Sequence, residues 1–157
     1  FFTVYGPWGR PDMAPMIFAD AILNKKPLRI FNNGEMARDF TYIDDVTELL
    51  FNLVKKPSQD NKNINSNLLN PSNSWAPHRI FNIGNGKSVS LMKFINLLEK
   101  ELDTEAIKVF EGMQQGDVEH TFADTDSLEN YLGIKSKTSI EKGILEFIKW
   151  YRNFYKY

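Results

Sequence analysis

The chain has 157 residues, 42% of them hydrophobic and 25% charged, the balance of a globular protein that buries roughly 70% of the surface its unfolded chain exposes. Its formal charge of −1, with both signs interspersed, offers no basic field to nucleic acid or an anionic membrane surface, so an anionic ligand has to be held by a few placed cations. The absence of cysteine excludes disulfides, a thiolate nucleophile and cysteine-ligated zinc, and makes a reducing cytoplasm the simplest setting.

Residues 1–5, β-branched and aromatic, read as a strand stopped by Gly6 and Pro7. That strand has neither an initiator Met nor a partner before it, so a fragment of a longer chain is expected. A helix follows the loop, with Met16, Ile17, Ala19, Ala21, Ile22 and Leu23 at near-helical spacing and Pro15 tolerated in its first turn. Residues 13–23 are the longest apolar stretch, too short to span a bilayer and interrupted by Asp20. Residues 28–31 form a short strand closed by Asn32, Asn33 and Gly34, and residues 36–43 a second one. Asp45 with Glu48 fits a capping box, and Val46, Leu49, Leu50, Leu53 and Val54 give the helix behind it a buried face.

Residues 58–77, rich in Asn, Ser and Pro, are expected to form a long mobile surface loop. Residues 79–83 read as a strand and 84–86 as a turn, after which Ser90 caps a helix carrying Leu91, Phe94, Ile95, Leu98 and Leu102. Residues 107–110 are a further strand. Asp126 with Glu129 marks a helix running to about Tyr131 and ended by Gly133, and Thr138 with Glu141 marks a last helix bearing Ile144, Phe147, Ile148, Trp150 and Tyr151. Short strands interleaved with about five helices make an α/β or α+β layout.

Each chemically suggestive group also has a plain structural reading. Arg38 suits a phosphate, or a surface pairing with Glu35 or Asp39. Asp44 and Asp45, directly before a helix, read first as an N-cap rather than as paired catalytic carboxylates. Residues 82–86 stand between a strand and a helix like a phosphate cradle, yet lack the third glycine of the dinucleotide fingerprint, so a structural turn is favoured. Gly116-Asp117 is a turn able to present a carboxylate, and Arg10 sits in a Gly/Pro loop where either a substrate-orienting cation or a salt bridge fits. Thr3 puts a hydroxyl in an apolar strand. His78 and His120 stand alone, and no metal-ligand set is evident.

Five segments carry a resemblance together. They are Phe1-Phe2-Thr3-Val4-Tyr5-Gly6-Pro7-Trp8-Gly9-Arg10-Pro11-Asp12-Met13-Ala14; Arg38-Asp39-Phe40-Thr41-Tyr42-Ile43-Asp44-Asp45; Ala76-Pro77-His78-Arg79-Ile80-Phe81-Asn82-Ile83-Gly84-Asn85; Gln114-Gln115-Gly116-Asp117-Val118 with Thr121-Phe122-Ala123-Asp124; and Trp150-Tyr151. In that order they resemble the extended short-chain dehydrogenase/reductase family, most closely its UDP-glucuronate 4-epimerase branch, lapsing only over residues 58–74. The resemblance implies that residues 1–157 are the C-terminal nucleotide-sugar-binding half of an extended Rossmann-type epimerase. Polysaccharide biosynthesis would be its setting. The family's glycine-rich NAD loop and Tyr-x-x-x-Lys pair belong to an N-terminal Rossmann half. With both read as missing here, this chain is expected to hold no catalytic residue, to bind no NAD and to be inactive alone, although the intact enzyme uses NAD.

By the same resemblance, Thr3 and Arg10 hold the hexuronate carboxylate, Met13, Phe31, Arg38, Gln114 and Asp117 bind UDP, and Val4 passes beside the nicotinamide. Gln114 stands where some UDP-hexose epimerases have Arg. The implied partners are a UDP-hexuronate, the Rossmann half and, for the intact enzyme, a second copy; neither nucleic acid nor membrane is implied. A UDP-uronate decarboxylase, another nucleotide-sugar epimerase or dehydratase, and a non-catalytic UDP-sugar-binding module are the alternatives.

Overall fold

A computed structural model describes residues 1–60 and 72–157 of the chain. Strand β1 (Thr3–Tyr5) leads into helix α1 (Ala14–Leu23), where Pro15 occupies a first-turn position whose N–H has no intrahelical partner to lose. Strand β2 (Pro27–Ile30) ends in a 3₁₀ turn, Phe31–Gly34, in which Asn32 and Asn33 take left-handed φ of 49° and 50°, a conformation Asn adopts more readily than most residues. Strand β3 (Ala37–Tyr42) runs straight into helix α2 (Ile43–Lys55). After the segment that is not described come β4 (Ser88–Ser90), α3 (Leu91–Leu102), β5 (Ile107–Phe110), α4 (Asp126–Leu132) and α5 (Ile140–Tyr155). The class is α/β, with short strands and five α-helices among the described residues.

The strands make two small sheets, one in the order β1-β3-β4 and the other pairing β2 with β5. β1 lies parallel to β3 with Thr3 beside Phe40 and Tyr5 beside Tyr42, while β4 runs antiparallel to it with Ala37 opposite Ser90. Against this sheet pack α1, α3 and α5, with α3 touching both other helices. Phe94 of α3 stacks on Phe40 of β3 at 4.2 Å and meets Tyr5 edge-on at 6.0 Å, so one fully buried ring ties a helix to two strands. A second, smaller cluster of Val46, Leu49, Ile83 and Leu128 holds α2 and α4 together. Trp8, left-handed at φ 62° and largely exposed, lays its indole 5.6 Å from Trp150 and 5.0 Å from Phe154 of α5.

Helix α5 approaches β1 closely at Gly143. A Cβ there would stand 1.9 Å from the Tyr5 hydroxyl and 3.1 Å from the Tyr42 ring, so only a residue without a side chain lets the helix settle onto these two phenols.

Several local expectations change in three dimensions. Asp45 does not cap α2: the helix begins earlier, at Ile43, with Tyr42 at the cap position and no side-chain cap. Thr138 does not cap α5; Ser139 does, accepting from Lys142 N at 3.2 Å. The two residues read as caps instead bind each other, Thr138 donating through Oγ1 at 2.8 Å and through N at 2.9 Å to the buried Asp45 carboxylate. Likewise Thr125, not Asp126, stands at the N-cap position of α4. Residues 79–83 are not a strand, because among the described residues only the isolated bridge of Arg79 with Asn73 offers them a ladder. β4 was not expected from the sequence; it is recruited by β3. Leu50 and Val54 are exposed, since the face of α2 that meets Ile83 and Leu128 is narrower than the apolar pattern suggests. The mobile loop expected over 58–77 falls mostly on residues 61–71, outside the described residues.

Replacing Gly143 by Ala is expected to lower stability by about 1–2 kcal/mol: the overpacking cost of about 1–3 kcal/mol outweighs the gain of up to about 1 kcal/mol in helix propensity. A urea titration read by circular dichroism measures the balance. Burial also raises the phenol pKa values of Tyr5 and Tyr42, and pushes that of Tyr151 up to about 12. Because unfolded phenols ionise near pH ~10, stability should hold below that pH and fall as pH rises towards the folded values. Tyrosinate absorbance followed alongside the unfolding signal checks this: the buried phenols should ionise together with loss of structure.

Candidate functional site

Period-two alternation along β3 gives its two faces different tasks. Arg38 and Phe40 face a cleft of ≈ 560 Å³, while Asp39 and Thr41, both fully buried, hold up the opposite side. The Asp39 carboxylate accepts from the backbone N–H groups of Asn85 at 2.8 Å, Gly86 at 3.0 Å and Ala123 at 3.1 Å, with Thr41 Oγ1 at 3.4 Å. One side chain thereby anchors two loops to the central strand. Gly84 is part of the same junction, because a Cβ on it would lie 2.3 Å from the Ala123 methyl and 3.0 Å from Asp39 Oδ2.

The segment beyond β5 is laid along the start of β3. Ala37 N donates to Glu119 O at 2.9 Å, Thr121 N to Ala37 O at 3.2 Å, and Asp39 N to Thr121 Oγ1 at 3.1 Å. Arg38 then reaches across this seam. Its Nη2 donates to Asp117 Oδ1 at 2.8 Å and its Nη1 to the carbonyls of Ala37 and Glu119 at 2.9 and 3.0 Å, with only 17% of the side chain exposed. Asp117 is oriented by its own turn, whose backbone closes from Asp117 N to Gln114 O at 3.2 Å, and by Val118 N donating to the same carboxylate oxygen at 2.8 Å. Arg38 therefore pairs with neither Glu35 nor Asp39, the surface partners its sequence position offered.

The fold brings Thr3, Met13, Phe31, Arg38, Gln114 and Asp117 onto the wall of this one cleft. Arg10 stays outside the lining but is bonded to it, with Nε 2.8 Å from Asp12 Oδ1 and Nη2 3.3 Å from Met13 Sδ. Val4, the neighbour of Thr3 on β1, turns the other way and packs against the Val46 cluster. A larger opening of ≈ 840 Å³ lies between the 84–89 segment, α4 and the start of α5 and contains none of these residues. Lysine and carboxylate side chains mix along its walls, Lys93 being paired with Glu141 at 2.8 Å and Lys137 with Glu48 at 2.8 Å.

Two features of the sequence are decided here. The 84–86 turn is no phosphate cradle, since its Asn85 and Gly86 N–H groups are already committed to an internal carboxylate. The Tyr-x-x-x-Lys spacing, read from the sequence as missing, does occur, at Tyr131 and Lys135. Its setting is structural: the Tyr131 hydroxyl donates to the carbonyls of Lys56 and Pro57, its ring packs 5.0 Å from Phe81, and left-handed Gly133 ends α4 before Lys135. The two residues therefore share no helical face.

Sequence reasoning missed Asp39 and Arg29. Asp39 is an acid between Arg38 and Phe40 on β3, and Arg29 lies between the buried Leu28 and Ile30 on β2; in each case strand alternation was the available signal. Among the described residues no group of three His, Asp or Glu could hold a metal ion.

Comparison with known proteins places this architecture among relatives. Residues 1–84 match the NAD dependent epimerase/dehydratase family. Protein CapI of Staphylococcus aureus is 45% identical over 156 residues, which is 99% of this chain and 47% of that protein. A probable UDP-glucuronate 4-epimerase of Rhizobium meliloti is 45% identical over 157 residues, 99% of this chain and 46% of its own length. The solved UDP-glucuronic acid 4-epimerase of Bacillus cereus, in complex with UDP-glucuronic acid and NAD, superposes with a TM-score of 0.78 at 30% identity, covering 98% of this chain and 44% of that one. The chain thus spans about half the length of the curated relatives it matches.

Asp39→Asn removes the charge and turns an amide N–H towards backbone donors. It is expected to cost about 2–3 kcal/mol, the scale for hydrogen bonds to a buried ionised group. Hydrogen exchange is the informative measurement: protection should fall at Asn85, Gly86 and Ala123 before it falls in α1.

Proposed function

Because the chain belongs to the NAD dependent epimerase/dehydratase family, we propose that it is the nucleotide-sugar-binding half of a 4-epimerase that interconverts UDP-glucuronate and UDP-galacturonate through a 4-keto intermediate. The observation that carries this reading is the gathering of Thr3, Met13, Phe31, Arg38, Gln114 and Asp117 on one cleft, with Arg10 bonded to its rim. The names of the Rhizobium meliloti and Bacillus cereus relatives supply the substrate class.

In this reading Arg38 faces the diphosphate, where its fork geometry suits phosphate oxygens, and Asp117 meets the ribose hydroxyls as an acceptor. Phe31 lies against the uracil, with Met13 and Gln114 completing the nucleotide wall. Thr3 and Arg10 take the sugar carboxylate. A 4-keto uronate is a β-keto acid prone to lose CO₂, and a charge-assisted clamp keeps the carboxylate C–C bond out of line with the ketone π system. Arg10 reaches the carboxylate by leaving Asp12, an exposed pair that holds it weakly.

The Bacillus cereus relative binds NAD, but the residues described here do not themselves fit it. The turn that stands where a cradle would be has spent its N–H groups on Asp39, and the Tyr131–Lys135 spacing is not arranged as a catalytic pair. The NAD site and the proton-transferring groups are therefore assigned to the rest of a longer polypeptide, this chain binding and orienting the sugar nucleotide. Val4 borders that missing half beside the nicotinamide. A homodimer and a cytoplasmic setting belong to the same proposal; among the described residues no helix is long and apolar enough to cross a membrane.

Calorimetric titration of the chain with UDP, UDP-glucose and UDP-glucuronate tests the reading. Arg38→Ala should weaken all three by about tenfold or more, while Arg10→Ala should weaken UDP-glucuronate alone. In the native polypeptide, Arg10→Ala should raise the share of UDP-pentose among the products. An unchanged product ratio would count against the carboxylate clamp.

A further inference from the structure

The wall of the cleft holds a second guanidinium, Arg29, to which neither the sequence motifs nor the proposed roles assign a task. Residues 28 and 30 of β2 are buried, so alternation turns Arg29 outward on the same side as Phe31 two positions later. The side chain is 64% exposed, yet its head group is tethered. β2 pairs in parallel with β5, Arg29 beside Val109, and just past β5 the backbone of Glu111 is fixed by its N–H donating to Ile30 O at 2.9 Å. The Glu111 carboxylate then takes two hydrogen bonds from Arg29, Nε to Oε1 at 2.6 Å and Nη2 to Oε2 at 2.7 Å. The guanidinium carbon lies 5.1 Å from the centroid of the Phe31 ring.

A bidentate carboxylate fixes the plane of a guanidinium, and an aromatic face beside it limits the remaining rotation. Two of the five N–H donors are used by Glu111; none of the others has an acceptor among the described residues. Glu111 also cancels most of the local charge, its own carboxyl being held below the usual range by the Arg29 hydrogen bonds. What remains is direction more than charge, which suits a neutral carbonyl oxygen better than a phosphate.

We propose that Arg29 reads the nucleobase: fixed by Glu111 beside Phe31, it donates to the C4 carbonyl of a pyrimidine lying against that ring, and so favours uracil or thymine over cytosine. The discrimination rests on one position. Uracil presents an acceptor oxygen where cytosine presents an amino group, and an N–H donor facing an amino group leaves both unpaired. This inference rests on the nucleotide-site reading above and deepens it by naming the residue that selects the base.

The test is titration of the chain with UDP and with CDP, in wild type, Arg29→Met and Arg29→Lys. Wild type should prefer UDP by about tenfold, the worth of one good hydrogen bond to a charged donor. Arg29→Met should lose about tenfold for UDP and less than about twofold for CDP. Arg29→Lys keeps a cation near Phe31 and Glu111, and so guards against a variant that fails through folding; it too should lose most of the preference, because a point donor lacks the fixed fork. Equal losses for both nucleotides, or none for either, would overturn the assignment. A wild-type chain that binds UDP-glucuronate yet treats UDP and CDP alike sinks the base-reading role alone, whereas one that binds no UDP-sugar sinks the nucleotide site with it.

Discussion

The carboxylate of Asp39 is the constraint on which the rest of the molecule depends. A charge with no solvent exposure is tolerable only when its lone pairs are met, and here three backbone N–H groups from two separate loops meet them. The anion draws residues 84–86 and 123 onto the back of β3. With that face occupied, the front of the same strand is left to carry Arg38 and Phe40.

Asp45 repeats the device one element later. Its buried carboxylate receives Lys137 N, Thr138 N and the Thr138 hydroxyl, fixing the approach to α5 from the first turn of α2. Helix α5 then meets β1 over Gly143, and the Phe94 ring closes the stack between α3 and the strands. Two acids thus order the polar connections, and aromatic packing between them supplies the apolar core. No buried side-chain polar atom among the described residues lacks a partner, consistent with networks that are complete rather than half-made.

Periodicity made the helices legible, because α1, α3 and α5 each bury most of the residues that recur at helical spacing, although Ile17 of α1 is exposed. What it could not show is which polar group answers which. Asp45 and Thr138 each carry a sound local capping signature, and each abandons it for the other across the fold. β4 is invisible locally for the same reason: Ser88 and Ser90 have little strand preference and pair because β3 offers an open edge. The six residues on the cleft were named by resemblance rather than by spacing, and come from β1, the loop before α1, the turn after β2, β3 and the segment after β5. Arg29 and Asp39 were overlooked because a charged residue inside a short strand reads as solvent-facing until its partner is known.

The indole of Trp8 has a consequence for how the molecule assembles. Its left-handed backbone and its tilted and edge-on contacts with Trp150 and Phe154 fasten the loop carrying Arg10 to helix α5, which lies far along the sequence. Contacts of such wide separation pay their loop-closure entropy before they gain any packing. The rim beside Arg10 is therefore tied to the docking of the last helix, as the β2 wall is tied to β5, so the acid-sugar end of the proposed site is held from the far end of the sequence.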